Sequence, residues 1–349
     1  MRKKICKIYE CSEGDIIASD VYTSSGVFIV PARTAFNEYI RMKLESLNVR
    51  QIEIYDWAGS SKVSSGSDDE NLKRDYCEKV NIIKSVFLDI AAGRELNLAI
   101  IASIAESIYS EIYSNYDLAK CISFVKDADK YTYTHCLNVS IYCMFIAKWL
   151  KMNDNEIKDV IKSGLLHDIG KAKIPQYILN KCGPLDDDEF EIMKKHPELG
   201  YELIYPISSI GDKIKKAVLM HHERENGSGY PMGLHSEEIE QYAKIVAIAD
   251  IYDALTTKRV YRPKLTPFDT FKEIESIAMG ENLYDLKILL SFLTNISTYY
   301  IGAKIKLNDN RYGEIVYIPP YDISNPIIKI DNKYINIKNE PELKITEVL

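Results

Sequence analysis

The spacing of apolar positions divides the chain into regions of different texture. In residues 1–58 the apolar runs are short. Ile16–Ile17 and Val27–Val30 lie around Gly14 and Gly26, a helical period runs from about Ala35 to Leu47, and Val49-Arg-Gln-Ile-Glu-Ile-Tyr55 alternates at period two. These patterns predict strands, one helix and a further strand, a small α+β unit. Residues 59–69, all polar but for Val63 and two glycines, read as a linker. From 70 to 298 the period is helical almost throughout, with Gly- and Pro-marked loops near 182–184, 205–211 and 226–236. In 299–349 the texture changes again. Ile305–Leu307, Glu314–Ile318, Ile327–Ile330 and Tyr334–Ile337 are β-rich runs between Asn-Asp-Asn, Pro-Pro and Asp-Asn turns, which predict a small, barrel-like β domain. The expected architecture is multidomain and mainly α, a central helical bundle flanked by these two modules.

The helical faces carry polar residues where apolar ones belong. His135 shares a stripe with Asn138, Val139, Tyr142, Ile146 and Trp149, and Asp168 ends a stripe of Ile157, Val160, Ile161, Gly164 and Leu165. Asp186 and Glu189 form a capping box whose helix has Phe190, Met193 and His196 as its inner row. Ile214, Ala217 and Val218 lead to His221–His222, and Val246, Asp250, Asp253 and Ala254 share one face. Unpaired polar burial costs on the order of 1–3 kcal/mol per group, so separate burial of these histidines and acids is a poor explanation. Imidazoles with a shared carboxylate suit iron, manganese or zinc, and two metals with one bridging carboxylate suit hydrolysis of phosphoesters.

Composition narrows the field. With 46% hydrophobic and 27% charged residues, the 349-residue chain matches ordinary soluble globular protein. A net charge of −7 and a pI near 5.6 argue against duplex DNA or RNA as a partner. No apolar run reaches membrane-span length, and the N-terminus lacks the pattern of a secretory leader. Seven cysteines without a C-x-x-C pair point to reduced thiols in the cytoplasm.

His167-Asp-Ile-Gly-Lys171 preceded by Gly-Leu-Leu, with His135 upstream and His196-Pro downstream, is a specific constellation. So is His221-His-Glu-Arg-Glu-Asn-Gly-Ser-Gly-Tyr-Pro231, followed by Ile-Ala-Asp250-Ile-Tyr-Asp-Ala-Leu. Together these resemble the HD-GYP family of HD-domain phosphohydrolases, which degrade the bacterial messenger cyclic di-GMP. The resemblance implies that Asp168 bridges two divalent ions, iron or manganese first and zinc also compatible. It implies that His135, His167 and Asp250 complete one ion's shell, and His196, His221 and His222 the other's. Lys171 matches the family's catalytic lysine. Gly229 and Tyr230 belong to the name-giving motif, and Arg259 and Arg262 match positions that hold the ligand's phosphates and guanine. Arg224 is a further cation suited to phosphate or guanine edges. Family members with three metals carry a glutamate where this chain has Tyr131, with Asp127 and Asp129 at other spacings. That departure implies a two-metal centre and linear pGpG as product. Two other readings stay open: a non-catalytic cyclic di-GMP-binding or protein-interaction module, and an HD phosphohydrolase of another nucleotide or cyclic dinucleotide. A homodimer or a regulatory protein partner is compatible with each.

Overall fold

The computed structural model describes residues 2–56, 67–112, 131–181, 183–257 and 265–349. The chain packs as two units. Met1–Ser64, Leu265–Glu273 and Leu293–Leu349 form the first, and Ser65–Lys264 with Ile274–Phe292 the second.

In the first unit β1 (Arg2–Lys7) pairs antiparallel with β4 (Gln51–Asp56), and β2 (Val21–Tyr22) with β3 (Phe28–Val30). Ile52 and Ile54 of β4 point inward, as the period-two alternation demands. Helix α1 (Glu38–Ser46) starts later than the apolar period suggests because Asn37 caps it, its Oδ1 accepting the Ile40 N–H at 2.9 Å. The C-terminal strands β5 (Lys304–Leu307), β6 (Tyr312–Tyr317), β7 (Ile327–Ile330), β8 (Lys333–Asn336) and β9 (Ile345–Val348) form one antiparallel sheet. Its order is β8-β7-β6-β5-β9, so β8 and β9 remain separate edges and the sheet is open where a barrel was expected. The N-terminal segment and this sheet share one core, in which Ile17, Val30, Phe36 and Ile40 pack with Val316, Tyr317 and Ile327. Two hydrogen bonds pin them together: Asn37 Nδ2 donates to the Val316 carbonyl at 2.8 Å, and the Tyr317 hydroxyl to that of Ile29 at 2.6 Å.

The second unit is helical: α2 (Ser67–Ala91), α3 (Leu98–Ser107), α4 (Tyr131–Trp149), α5 (Asp154–Leu166), α6 (Gln176–Leu179), α7 (Asp187–Met193), α8 (His196–Ile204), α9 (Asp212–Met220) and α10 (Gln241–Thr256). Helices α11 (Pro267–Glu281) and α12 (Leu286–Ser297) contribute their stretch from Ile274 to Phe292 to this unit. Helix α4 is buried on nearly every face from Cys136 to Ala147, which makes it the axis of the bundle. Tyr142 meets the Tyr252 ring of α10 edge-on at 5.1 Å, and Tyr252 meets Phe292 at 4.9 Å. The capping box of Asp186 and Glu189 forms as expected, but the helix it starts ends at Met193. His196 opens a new helix, with Pro197 in its first turn, and Phe190 faces solvent instead of lining an inner row. The reason is Pro197, which lacks the N–H that a continuing helix would require. Among the described residues no helix is long and apolar enough to cross a membrane.

Asn37 both caps α1 and ties it to β6, so the two roles separate by substitution. Asn37→Ala should cost about 1–2 kcal/mol in denaturant unfolding, and Asn37→Ser, which keeps a capping oxygen and loses the amide donor without setting a second acceptor against the Val316 carbonyl, should cost less.

Candidate metal centre

Helix ends position most of the site. An α-helix leaves the carbonyls of its last turn without intrahelical partners. Here histidines take them. His167 follows the last residue of α5, and its Nδ1 lies 2.8 Å from the Gly164 carbonyl. His221 does the same at the end of α9 with Val218 at 2.8 Å, and His196 with Met193, the last residue of α7, also at 2.8 Å. Because a carbonyl only accepts, each Nδ1 must carry the hydrogen. Each Nε2 then presents a lone pair, and all three aim at one point.

That point is the buried carboxylate of Asp168, which immediately follows His167. Its Oδ1 stands 3.3 Å from His196 Nε2 and 4.0 Å from His221 Nε2; its Oδ2 stands 3.4 Å from His167 Nε2 and 3.7 Å from His135 Nε2. Around it the ligand-type atoms fall into two triads, each within 4.8 Å, His135 with His167 and Asp250 and His196 with His221 and His222, and a third such group, His167 with Asp168 and His221, joins them. The seven residues that the sequence singled out as ligands therefore lie together around Asp168.

The donor set fits divalent ions. His167 Nε2 and Asp168 Oδ1 are buried without a hydrogen-bond partner. The Nε2 atoms of His196 and His221 lie 3.2 Å apart with both Nδ1 atoms committed to carbonyls, so two lone pairs face each other. Two ligand atoms about 2.1 Å from a common cation stand roughly 3.0–3.4 Å apart for octahedral or tetrahedral angles, the spacing found here. Burial lowers the pKa of His196, and more strongly those of His221 and His222, which keeps these rings neutral and ligand-ready. Burial alone would raise the Asp168 carboxyl, but the Lys171 ammonium beside it holds it well below the usual carboxylate range. Lys171 Nζ sits 2.6 Å from Asp168 Oδ2.

His135 is held differently. Its Nδ1 meets Asp253 Oδ2 at 2.7 Å, and its Nε2 meets Asp250 Oδ1 at 3.1 Å. Burial works against a charged ring here, yet the two carboxylates raise the His135 pKa to about 10. Asp253 was not among the site residues expected from sequence. The signal was its i+3 spacing from Asp250 on one face of α10, and a carboxylate behind a ligating histidine is a recurrent orienting device.

Comparison with known proteins places this geometry. A family model described as HD domain matches residues 120–288. This region belongs to the HD-domain family. Two curated relatives are similar to the chain. Cyclic di-GMP phosphodiesterase PA4108 of Pseudomonas aeruginosa is 29% identical over 248 residues, covering 71% of this chain and 59% of the relative. A cyclic di-GMP phosphodiesterase of Thermotoga maritima is 34% identical over 204 residues, covering 56% and 54%. The chain thus spans between half and three fifths of these relatives' length. Among solved structures, Bd1817, an HDG"Y"P protein from Bdellovibrio bacteriovorus, superposes with a TM-score of 0.53 over 83% of this chain and 98% of its own, at 16% identity. That likeness concerns the fold, which is mainly helical in this region.

Within the HD domain, the loop after α9 is built around Glu223. Its buried carboxylate accepts the Met232 N–H at 2.7 Å and the Leu234 N–H at 2.9 Å, folding the loop back on itself. Glu223, too, went unmarked in sequence. Tyr230 stacks on His222, with centroids 4.7 Å apart and planes inclined by 24°. Gly229 lies so close to the backbone of Glu223 and Arg224 that an added Cβ would come within 2.4 Å of both, so it packs the loop. Arg224 donates to the Glu223 carbonyl at 2.9 Å and covers the Tyr284 ring at 5.0 Å. Arg259, Arg262, Asp127 and Asp129 lie outside the described residues, and of Tyr131 only its place as first residue of α4 is described. His235, the remaining histidine, starts a short helical turn at Ser236–Glu238 and belongs to neither triad.

Gly170, in the turn after Asp168, has no room for a side chain. A Cβ there would stand 2.0 Å from the His196 carbonyl and 2.5 Å from the Gly200 nitrogen. Gly170→Ala should therefore displace His196, lower the melting temperature and weaken Mn2+ binding, whereas Gly183→Ala, with nothing within 4 Å, should change neither. Melting curves with and without Mn2+ check both.

Proposed function

We propose that this protein hydrolyses cyclic di-GMP to linear pGpG, at two divalent ions, iron or manganese, held by His135, His167 and Asp250 on one side and His196, His221 and His222 on the other, with Asp168 shared. The observation that carries this reading is the buried Asp168 carboxylate with an oxygen turned towards each triad. The names of the two aligned relatives support the substrate.

Ions bound there supply an acidified water and countercharge for the phosphoryl oxygens. The chain's own residues do the rest. Lys171 keeps Asp168 ionised, so the shared ligand stays an anion. In the reaction the water oxygen bonds to phosphorus, the P–O3′ bond breaks, and the departing 3′-oxygen takes up a proton. The Lys171 ammonium, at the edge of the centre, stabilises that oxygen as charge develops. The ring of Tyr230 beside His222 offers a stacking face for a guanine. Arg224, Arg259 and Arg262 supply the local positive charge that a chain of net charge −7 lacks, and Gly229 shapes the loop that carries Arg224 and Tyr230. Tyr131 stands where the three-metal members of the family carry a glutamate, which favours two ions, and without a third ion a flexible linear dinucleotide is gripped poorly for a second cut. The free thiols of Cys6, Cys11, Cys77, Cys136 and Cys143 support a reducing, cytoplasmic setting.

Anaerobic purification, metal analysis and product chromatography test the proposal in one experiment. Wild type should carry two ions and accumulate pGpG with little GMP. Asp168→Ala should lose both metal and turnover, and Lys171→Ala should keep the metal and slow turnover by about 10²–10³. Full metal loading in Asp168→Ala would contradict the shared-ligand role. GMP appearing as fast as pGpG would contradict the two-metal product assignment.

A further inference from the structure

His167, His196 and His221 are anchored on backbone carbonyls, which have little freedom to turn. His135 is anchored on a side chain, and a carboxylate rotamer must itself be held. What holds Asp253 comes from two other helices. Asn138 Nδ2 donates to Asp253 Oδ1 at 2.9 Å, and the Tyr76 hydroxyl of α2 reaches Asn138 Oδ1 at 2.5 Å. Thr257 adds a weaker contact to the same Asp253 oxygen at 3.3 Å.

Every link in this path has one possible polarity. An amide oxygen only accepts, so the Tyr76 hydroxyl donates to it. That fixes the Asn138 amide with its N–H towards Asp253. A carboxylate only accepts, so His135 Nδ1 carries a hydrogen, and its Nε2 is the atom turned to Asp250 Oδ1 at 3.1 Å and Asp168 Oδ2 at 3.7 Å. We infer that Tyr76 and Asn138 are positioning residues, which set the orientation of His135 and so tune the affinity of the His135–His167–Asp250 half of the centre without touching the His196–His221–His222 half. Neither residue reaches a ligand-type atom of the second triad, whose two inner histidines hang from carbonyls. Tyr76 also lies far from the motifs that mark the site, on the first helix of the second unit.

The inference rests on the two-ion reading above. Its test is calorimetric titration of the metal-free full chain with Mn2+, with melting temperature followed in the same buffer. Wild type should bind two ions in separable steps. Tyr76→Phe, which removes a single oxygen, should weaken one step about tenfold and leave the other unchanged. Asn138→Ala should weaken the same step at least as much. His135→Ala should abolish that step, and adding Tyr76→Phe to it should change the surviving step no further. If wild type binds two ions and Tyr76→Phe weakens both equally or neither, the inference is wrong while the two-ion reading stands. If wild type binds fewer than two, both fall. Should Asn138→Ala fail to fold, Tyr76→Phe alone decides.

Discussion

Helix termini leave carbonyls that must find a donor, and in this protein three of those donors are the Nδ1–H groups of His167, His196 and His221. The centre depends on that exchange. It satisfies backbone groups that would otherwise be buried unpaired, at a cost of about 1–3 kcal/mol each, and it fixes the tautomer of every ring involved. The three imidazoles then point their remaining nitrogens at one buried carboxylate. Carbonyls at helix ends are rigid anchors, so the lone pairs are pre-aimed before any ion arrives.

The same arrangement makes the metal-free centre electrostatically awkward. Asp168, Asp250 and Asp253 are three carboxylates in one interior, answered directly by Lys171 and by a His135 whose pKa is raised to about 10. His167 Nε2 and one oxygen of Asp168 have no partner, and two imidazole lone pairs meet at 3.2 Å. Polar groups are left unpaired in a core only where something else compensates them, and two divalent cations would do so for each of these atoms at once. The glycine after Ile169 belongs to the same design. The turn that carries Asp168 can approach the start of α8 only because residue 170 has no side chain.

Much of this was legible in the sequence because the motif residues are local. His167 and Asp168 are adjacent, His221 and His222 likewise, and apolar stripes ending in His or Asp announce a polar interior. What escaped was non-local or concerned continuity. The stripe through Phe190, Met193 and His196 read as one helix, and the proline at 197 that interrupts it carried the correction. Asp253 acts through His135, 118 residues away, and Glu223 through backbone N–H groups of its own loop at 232–234, and a pattern of apolar positions contains no such pairing. The N-terminal α+β segment and the C-terminal sheet share a core through Tyr317 and Val316, nearly three hundred residues from their partners Ile29 and Asn37. Period and turn residues identify strands; they do not say which sheet packs on which segment.

The central claim is that two ions sit on either side of Asp168, one per histidine triad. Anomalous diffraction from crystals of the manganese-loaded protein, collected at the metal edge, addresses it directly. The account predicts two anomalous peaks within about 2.0–2.3 Å of the triad nitrogens, with one Asp168 oxygen facing each. A single peak, or peaks displaced from the triads with Asp168 still paired only to Lys171, would contradict it.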